Sequence, residues 1–169
     1  MLAPLRSPWG GPVAIMQRQS KKKKTFAGAE PLRIFRRTDC PAVSDADLQQ
    51  CACRIYEKEQ VRTEQSVSLV FCSDYIIRSL NAKYRNIDRA TDVLSFAIND
   101  PDLLGEVYIS VERAAVQSRR FGSSPGEEVM RLFIHGLYHL LGYDHEADGD
   151  RMKMERKERR ALADAADFL

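Results

Sequence analysis

His135, His139 and His145 are the only histidines in the chain. All three fall in one stretch, His135-Gly136-Leu137-Tyr138-His139-Leu140-Leu141-Gly142-Tyr143-Asp144-His145. Residues four apart on a helix project from one face, one turn from each other, so His135 and His139 have the spacing with which two imidazoles grip one metal ion. Gly142 permits the left-handed backbone turn that ends a helix, beyond which the chain can double back and bring His145 to the same point. A histidine met singly is most often a surface or core residue. Three so close together, with a helix-breaking glycine before the third, read as a ligand set. Three neutral imidazoles and an open fourth position describe a catalytic zinc site rather than a closed structural one. An ion held this way acts as a Lewis acid on a phosphoryl oxygen and lowers the pKa of coordinated water from about 16 towards about 7. Imidazole ligands suit zinc, nickel and copper alike.

The same spacing occurs in the long zinc-protease motif H-E-x-x-H-x-x-G-x-x-H. One residue departs from it: Gly136 stands where those proteases carry the glutamate that serves as general base. The ligands fit a peptidase, but its base is missing. Asp144 neighbours a ligand and can either orient a histidine as a hydrogen-bond acceptor or stand in for that base; orientation is the preferred role. A hydrolysis that builds negative charge at the metal would call for a cation beside it. Arg85, in a polar connection, is the candidate, although an exposed, salt-bridging arginine is the commoner role for such a residue. Lys83, Arg85 and Arg89 together can form a local patch facing a phosphate backbone.

These residues need elements to position them. Ser124-Pro125-Gly126-Glu127 combines a capping box with proline at the first helical position, so a helix starts there. Val129, Met130, Leu132, Phe133, Ile134, Leu137, Leu140 and Leu141 make that helix apolar nearly all round, which predicts a central, buried helix that holds its ligands rigidly. Upstream, Leu32 to Arg37 alternates as a first strand. Ser44 caps a helix to about Lys58, and Val67 to Cys72 is a buried strand. Ser73 or Asp74 caps a second helix through about Tyr84. Asp92 to Ala97 and Glu106 to Ser110 form an antiparallel pair of strands, and a helix follows from Ser110 to about Phe121. A last helix runs from about Ala147 to Ala163, with its charge runs as a solvated face. The sum is an α+β domain: one mixed sheet of about four strands packed with about five helices.

Composition sets the bounds. At 169 residues and 44% hydrophobic, the chain can build one domain with a real core. It has no apolar run of the 18 or so residues that span a bilayer, so it reads as soluble and without membrane partners. Cys40, Cys51, Cys53 and Cys72 include no C-x-x-C pair and read as free thiols in a reducing compartment. The net charge of +2 is unevenly distributed: residues 1–29 carry Arg6, Arg18 and Lys21 to Lys24 with no acid, so the remainder stands at −4. Binding to nucleic acid must therefore rest on a local basic patch. Residues 1–30 have Pro, Gly and lysine runs without periodicity and read as a disordered basic extension, with residues 31–169 as a single catalytic domain. A basic RNA-contacting arm, an organellar transit peptide or an over-extended start with Met16 as the internal one are the readings of that tail.

The histidine stretch resembles the signature H-G-x-x-H-L-x-G-Y-D-H of the YbeY family of metal-dependent endoribonucleases. A second block agrees: Asn81, Tyr84-Arg85, Asp88 and Thr91-Asp92-Val93-Leu94-Ser95-Phe96 are similar to the family's N-x-x-Y-R-x-x-D-x-x-T-D-V-L-S-F. A third, Gly105-Glu106-Val107-Tyr108-Ile109-Ser110, resembles its G-D-I-x-I-S strand with Glu for Asp, and Ala97 stands where a proline often follows the Phe. The likeness covers about residues 32–163. It implies a zincin-like α+β fold with one zinc ion (nickel or another transition metal as alternatives) on His135, His139 and His145, and Arg85 as the catalytic arginine. Thr91, Asp92 and Ser95 match a family block, and backbone and packing roles are expected of them. The likeness also implies a cytoplasmic, single-strand-specific endoribonuclease. Its expected work is maturation of the small-subunit 16S ribosomal RNA at its 3′ end and ribosome quality control. The expected partners are ribosomal RNA and the small subunit, together with a ribosomal protein or an assembly GTPase. The alternatives are another zinc hydrolase, peptidase or amidase, and a ribosome-assembly binding module with a structural metal.

Overall fold

The computed structural model of the chain describes residues 30–40, 42–61, 64–98, 100–143, 148–167 and 169. Residues 1–29, and with them nearly all of the expected basic extension, lie outside the described residues. Nine elements follow in the order β1 (Leu32–Arg36), α1 (Asp45–Glu59), β2 (Ser66–Cys72), α2 (Asp74–Arg85), β3 (Val93–Ala97), β4 (Leu103–Ser110), α3 (Val111–Phe121), α4 (Pro125–Leu140) and α5 (Asp148–Ala165). This is the expected α+β arrangement of four strands and five helices. The helix starts follow from short polar side chains: Ser44, Ser73, Ser110 and Ser124 each accept a backbone N–H of the first turn, satisfying donors that have no partner within the helix.

The sheet runs β1-β2-β4-β3. β1, β2 and β4 are parallel, and β3 pairs antiparallel with β4 from Val93↔Ile109 to Ala97↔Gly105. Side chains alternate across the strands. Leu69, Phe71, Val107 and Ile109 join the main core, built with Leu48 and Ile55 of α1 and Leu132, Phe133 and Leu137 of α4. Val70, Cys72, Leu94, Phe96 and Tyr108 form a second cluster with Ile77 of α2 on the opposite face. α4 is the central helix, packed on β3, β4, α3 and α5.

β4 begins three residues earlier than periodicity indicated. Glycine is a poor strand former, so Gly105 hid the strand's start. Pairing recruits it: Ser66 opposes Leu103, and the Ile98 N–H donates to the Leu104 carbonyl at 3.1 Å. No disulfide forms among the four cysteines, and burial pushes the Cys51 and Cys72 thiols up to about 12. No helix among the described residues is long and apolar enough to cross a membrane.

Candidate active site

α4 is anchored at its start by the capping box, with the Ser124 hydroxyl on the Glu127 N–H and the Glu127 carboxylate on the Ser124 N–H. At its far end, the Gly142 N–H donates to the His139 carbonyl (3.0 Å) and the Tyr143 N–H to the Tyr138 carbonyl (3.1 Å). With Gly142 at φ +84°, this closes the helix in a Schellman turn. The Tyr138 and Tyr143 rings meet edge to face at 5.5 Å beneath it. The left-handed turn expected at Gly142 is present, and it aims the Tyr143 carbonyl back at the helix.

His135 and His139 are brought together. Their Nε2 atoms lie 3.1 Å apart, close to the roughly 3.3 Å between two nitrogens bound tetrahedrally to one zinc at about 2.0–2.1 Å. The Nδ1 atoms face the other way. His139 Nδ1 lies 3.1 Å from the Tyr143 carbonyl oxygen, and His135 Nδ1 lies 2.7 Å from Glu158 Oε1 on α5. A carbonyl and a carboxylate only accept, so both Nδ1 atoms carry the proton. A ring that carries no second proton has its lone pair on Nε2, facing the other ring. A single proton or a metal ion between the two nitrogens satisfies this arrangement, and the donor atoms fit a metal. His145 and Asp144 lie outside the described residues.

Gly136 sits between His135 and His139 on the sheet side. A Cβ there would fall 2.7 Å from Val107 Cγ1 and 2.9 Å from Ser95 Oγ. Real Cβ atoms do not approach so closely, so with any other residue here Val107 and Ser95 must shift or α4 must lift from the sheet. The Ser95 hydroxyl donates to the Gly136 carbonyl at 3.2 Å and ties β3 to the same turn. Asp92 accepts from Thr91, from the Val93 N–H and from Gln117. Burial pushes its carboxyl up, but these hydrogen bonds outweigh it and hold the group below its ordinary value. Gln117 in turn accepts from Arg131, which lies one turn before His135 and is clamped by the buried Glu128 at 2.6 Å.

Arg85 lies exposed in the last turn of α2. α2 covers the sheet face opposite α4, and no hydrogen bond or ion pair among the described residues engages the Arg85 guanidinium or joins it to the histidine pair. The salt-bridged state, the alternative to a catalytic role for this arginine, is not formed among the described residues.

Glu158 was not singled out from sequence, where α5 reads as a solvated charged helix. A signal was present. Met154, Ala161 and Ala165 are buried, and Glu158 falls on their stripe, four after Met154 and three before Ala161. A carboxylate at a core-facing helical position points inward and needs a partner. Alanine at 158 should weaken zinc affinity about 10- to 100-fold, as expected when the acceptor that orients a ligating imidazole is lost. Glu158→Gln should lose less, since its amide oxygen still accepts the Nδ1 proton. A competition titration against a chromophoric chelator reads both, and equal affinity in all three proteins would contradict the role.

The family model described as Endoribonuclease YbeY matches residues 36–166. The chain belongs to the YbeY family. The Endoribonuclease YbeY of Desulforamulus reducens is 46% identical over 112 residues, covering 60% of this chain and 73% of that protein. That of Pelotomaculum thermopropionicum is 40% identical over 124 residues, covering 68% and 82%. The solution structure of TM1509 from Thermotoga maritima superimposes with a TM-score of 0.58 at 28% identity, covering 79% of this chain and 88% of that one. The matched span contains the three sequence blocks, from Asn81 to Phe96, from Gly105 to Ser110 and from His135 to His145, and also Glu158.

Proposed function

We propose that this YbeY-family chain is a metal-dependent endoribonuclease that cleaves single-stranded RNA, with His135, His139 and His145 holding one zinc ion. The observation that carries the metal reading is the pair of Nε2 lone pairs facing each other at 3.1 Å, each enforced by an acceptor on the opposite ring nitrogen. The name shared by its relatives supports RNA as the substrate. When bound, the metal supplies Lewis-acid assistance and activates water near neutral pH.

The chain's own residues do the positioning. Glu158 and the Tyr143 carbonyl hold the two rings in one tautomer and orientation, and Asp144 serves as a further orienting acceptor. Gly136 keeps the ligands against the sheet and leaves no carboxylate where a peptidase has its base. Arg85 stabilises the developing phosphoryl charge. It lies on the other face of the sheet from the histidines, so the substrate must lie across the β3 edge to meet both. The proposal extends to the 3′-end maturation of 16S ribosomal RNA and ribosome quality control in the cytoplasm, with the small subunit and a ribosomal protein or assembly GTPase as partners. That extension rests on the family resemblance.

Arg85→Ala tests the chemistry. Loss of a guanidinium that contacts the transition-state phosphate should lower the RNA cleavage rate about 10²-fold, or about 3 kcal/mol, by analogy with lost oxyanion donors. Metal content should not change, because Arg85 is not a ligand. Unimpaired cleavage would remove Arg85 from the site. Peptide hydrolysis with no RNA cleavage would move the protein to the peptidase class.

A further inference from the structure

Between the end of α1 and the middle of α5 lies an open cleft of about 430 Å³. Lys58, Arg156, Lys157 and Arg160 line it together with one acid, Glu59. Two of the four cations are compensated. Lys157 donates to Glu59 at 2.6 Å, and Lys58 pairs with Asp164. Arg156 and Arg160 have no ion pair among the described residues. They are four apart on one helix, an arrangement in which like charges repel. A cleft lined by one sign of charge focuses the field and raises the local concentration of the opposite sign.

The cleft is joined to the histidines through shared residues. Glu59 also accepts from the Tyr143 hydroxyl at 2.7 Å, and the Tyr143 carbonyl holds His139. Lys157 sits over the Tyr143 ring at 5.0 Å and precedes Glu158, which holds His135. A strand with one phosphodiester at the histidine pair and running over Lys157 therefore enters the cleft. This also answers a question of charge, since the chain beyond residue 29 carries a net −4 and can bind a polyanion only through a local patch.

We propose that this cleft is the binding path for the sugar-phosphate backbone of the RNA next to the cleavage site, with Arg156 and Arg160 each neutralising a phosphate. The inference rests on the endoribonuclease reading. The backbone of a single strand is the ligand that a row of guanidiniums tracks without reading sequence.

The test is fluorescence anisotropy of the full-length protein with a labelled single-stranded 2′-O-methyl oligoribonucleotide at several salt concentrations. Single strands give a slope of log K against log salt of about −0.7 per neutralised phosphate, so Arg156→Ala/Arg160→Ala should shallow the slope by about 1.4. Arg156→Lys/Arg160→Lys should keep it, as should Arg119→Ala/Arg120→Ala, which removes two exposed cations from α3. A wild-type slope in the cleft double alanine variant, or an equal loss in the α3 variant, would overturn the cleft as the RNA path. Wild-type protein that binds no oligonucleotide would instead overturn the endoribonuclease reading itself.

Discussion

His139→Ala is expected to lose both bound metal and RNA cleavage, with the rate falling about 10³-fold or more, because metal assistance is worth several kcal/mol at about 1.4 kcal/mol per decade. The fold should survive. His139 is only half-buried, and its ring packs edge to face on His135 at 4.6 Å rather than into the apolar core. Its Nε2 faces His135 Nε2, and its Nδ1 is committed to the Tyr143 carbonyl. Metal analysis, circular dichroism and a cleavage assay on one preparation separate loss of the ion from loss of the fold. Full cleavage by metal-free His139→Ala would remove the metal from the chemistry.

Gly136→Glu, which writes the zinc-protease motif in full, is expected to unfold the protein rather than confer peptidase activity. The added Cβ alone meets Val107 and Ser95 at 2.7 and 2.9 Å. Forcing extra atoms into a packed core costs about 1–3 kcal/mol, partly offset in Gly136→Ala by alanine's helix propensity of about 1 kcal/mol. Gly136→Ala should therefore lose at most about 2 kcal/mol. The glutamate adds a buried carboxylate with no partner, which costs several kcal/mol more. Together these approach the whole stability of a domain, about 5–15 kcal/mol. Urea unfolding of the two variants checks this order. A folded Gly136→Glu protein of ordinary stability would show that α4 can lift from the sheet, and that the glycine is not required by packing.

What was legible in the sequence was what depends on near neighbours along the chain. The caps at Ser44, Ser73 and Ser124, the turn at Gly142 and the one-turn spacing of His135 and His139 are each settled within a few residues, and each has its expected geometry. The continuous apolar run of β2 and the all-round apolar α4 announced buried elements. Contacts between distant segments were less legible. Glu158 reaches His135 across 23 residues, and its inward direction was masked by the arginines and lysines that flank it on α5. The placement of α2 on the sheet face opposite α4, which separates Arg85 from the histidines, depends on strand order rather than on any local pattern. The early start of β4 likewise depends on its partner strands, because Gly105 carries no strand preference of its own.

The two Nε2 atoms are proposed to share one metal ion on which RNA cleavage depends. The direct measurement is a titration of wild-type protein, stripped by chelator, with zinc, reading bound metal and cleavage of a single-stranded RNA in the same samples. Cleavage should be absent in the stripped protein and rise in proportion to bound zinc, with a break at one ion per chain. Full cleavage in the stripped protein, or metal binding that saturates with no cleavage, would contradict it.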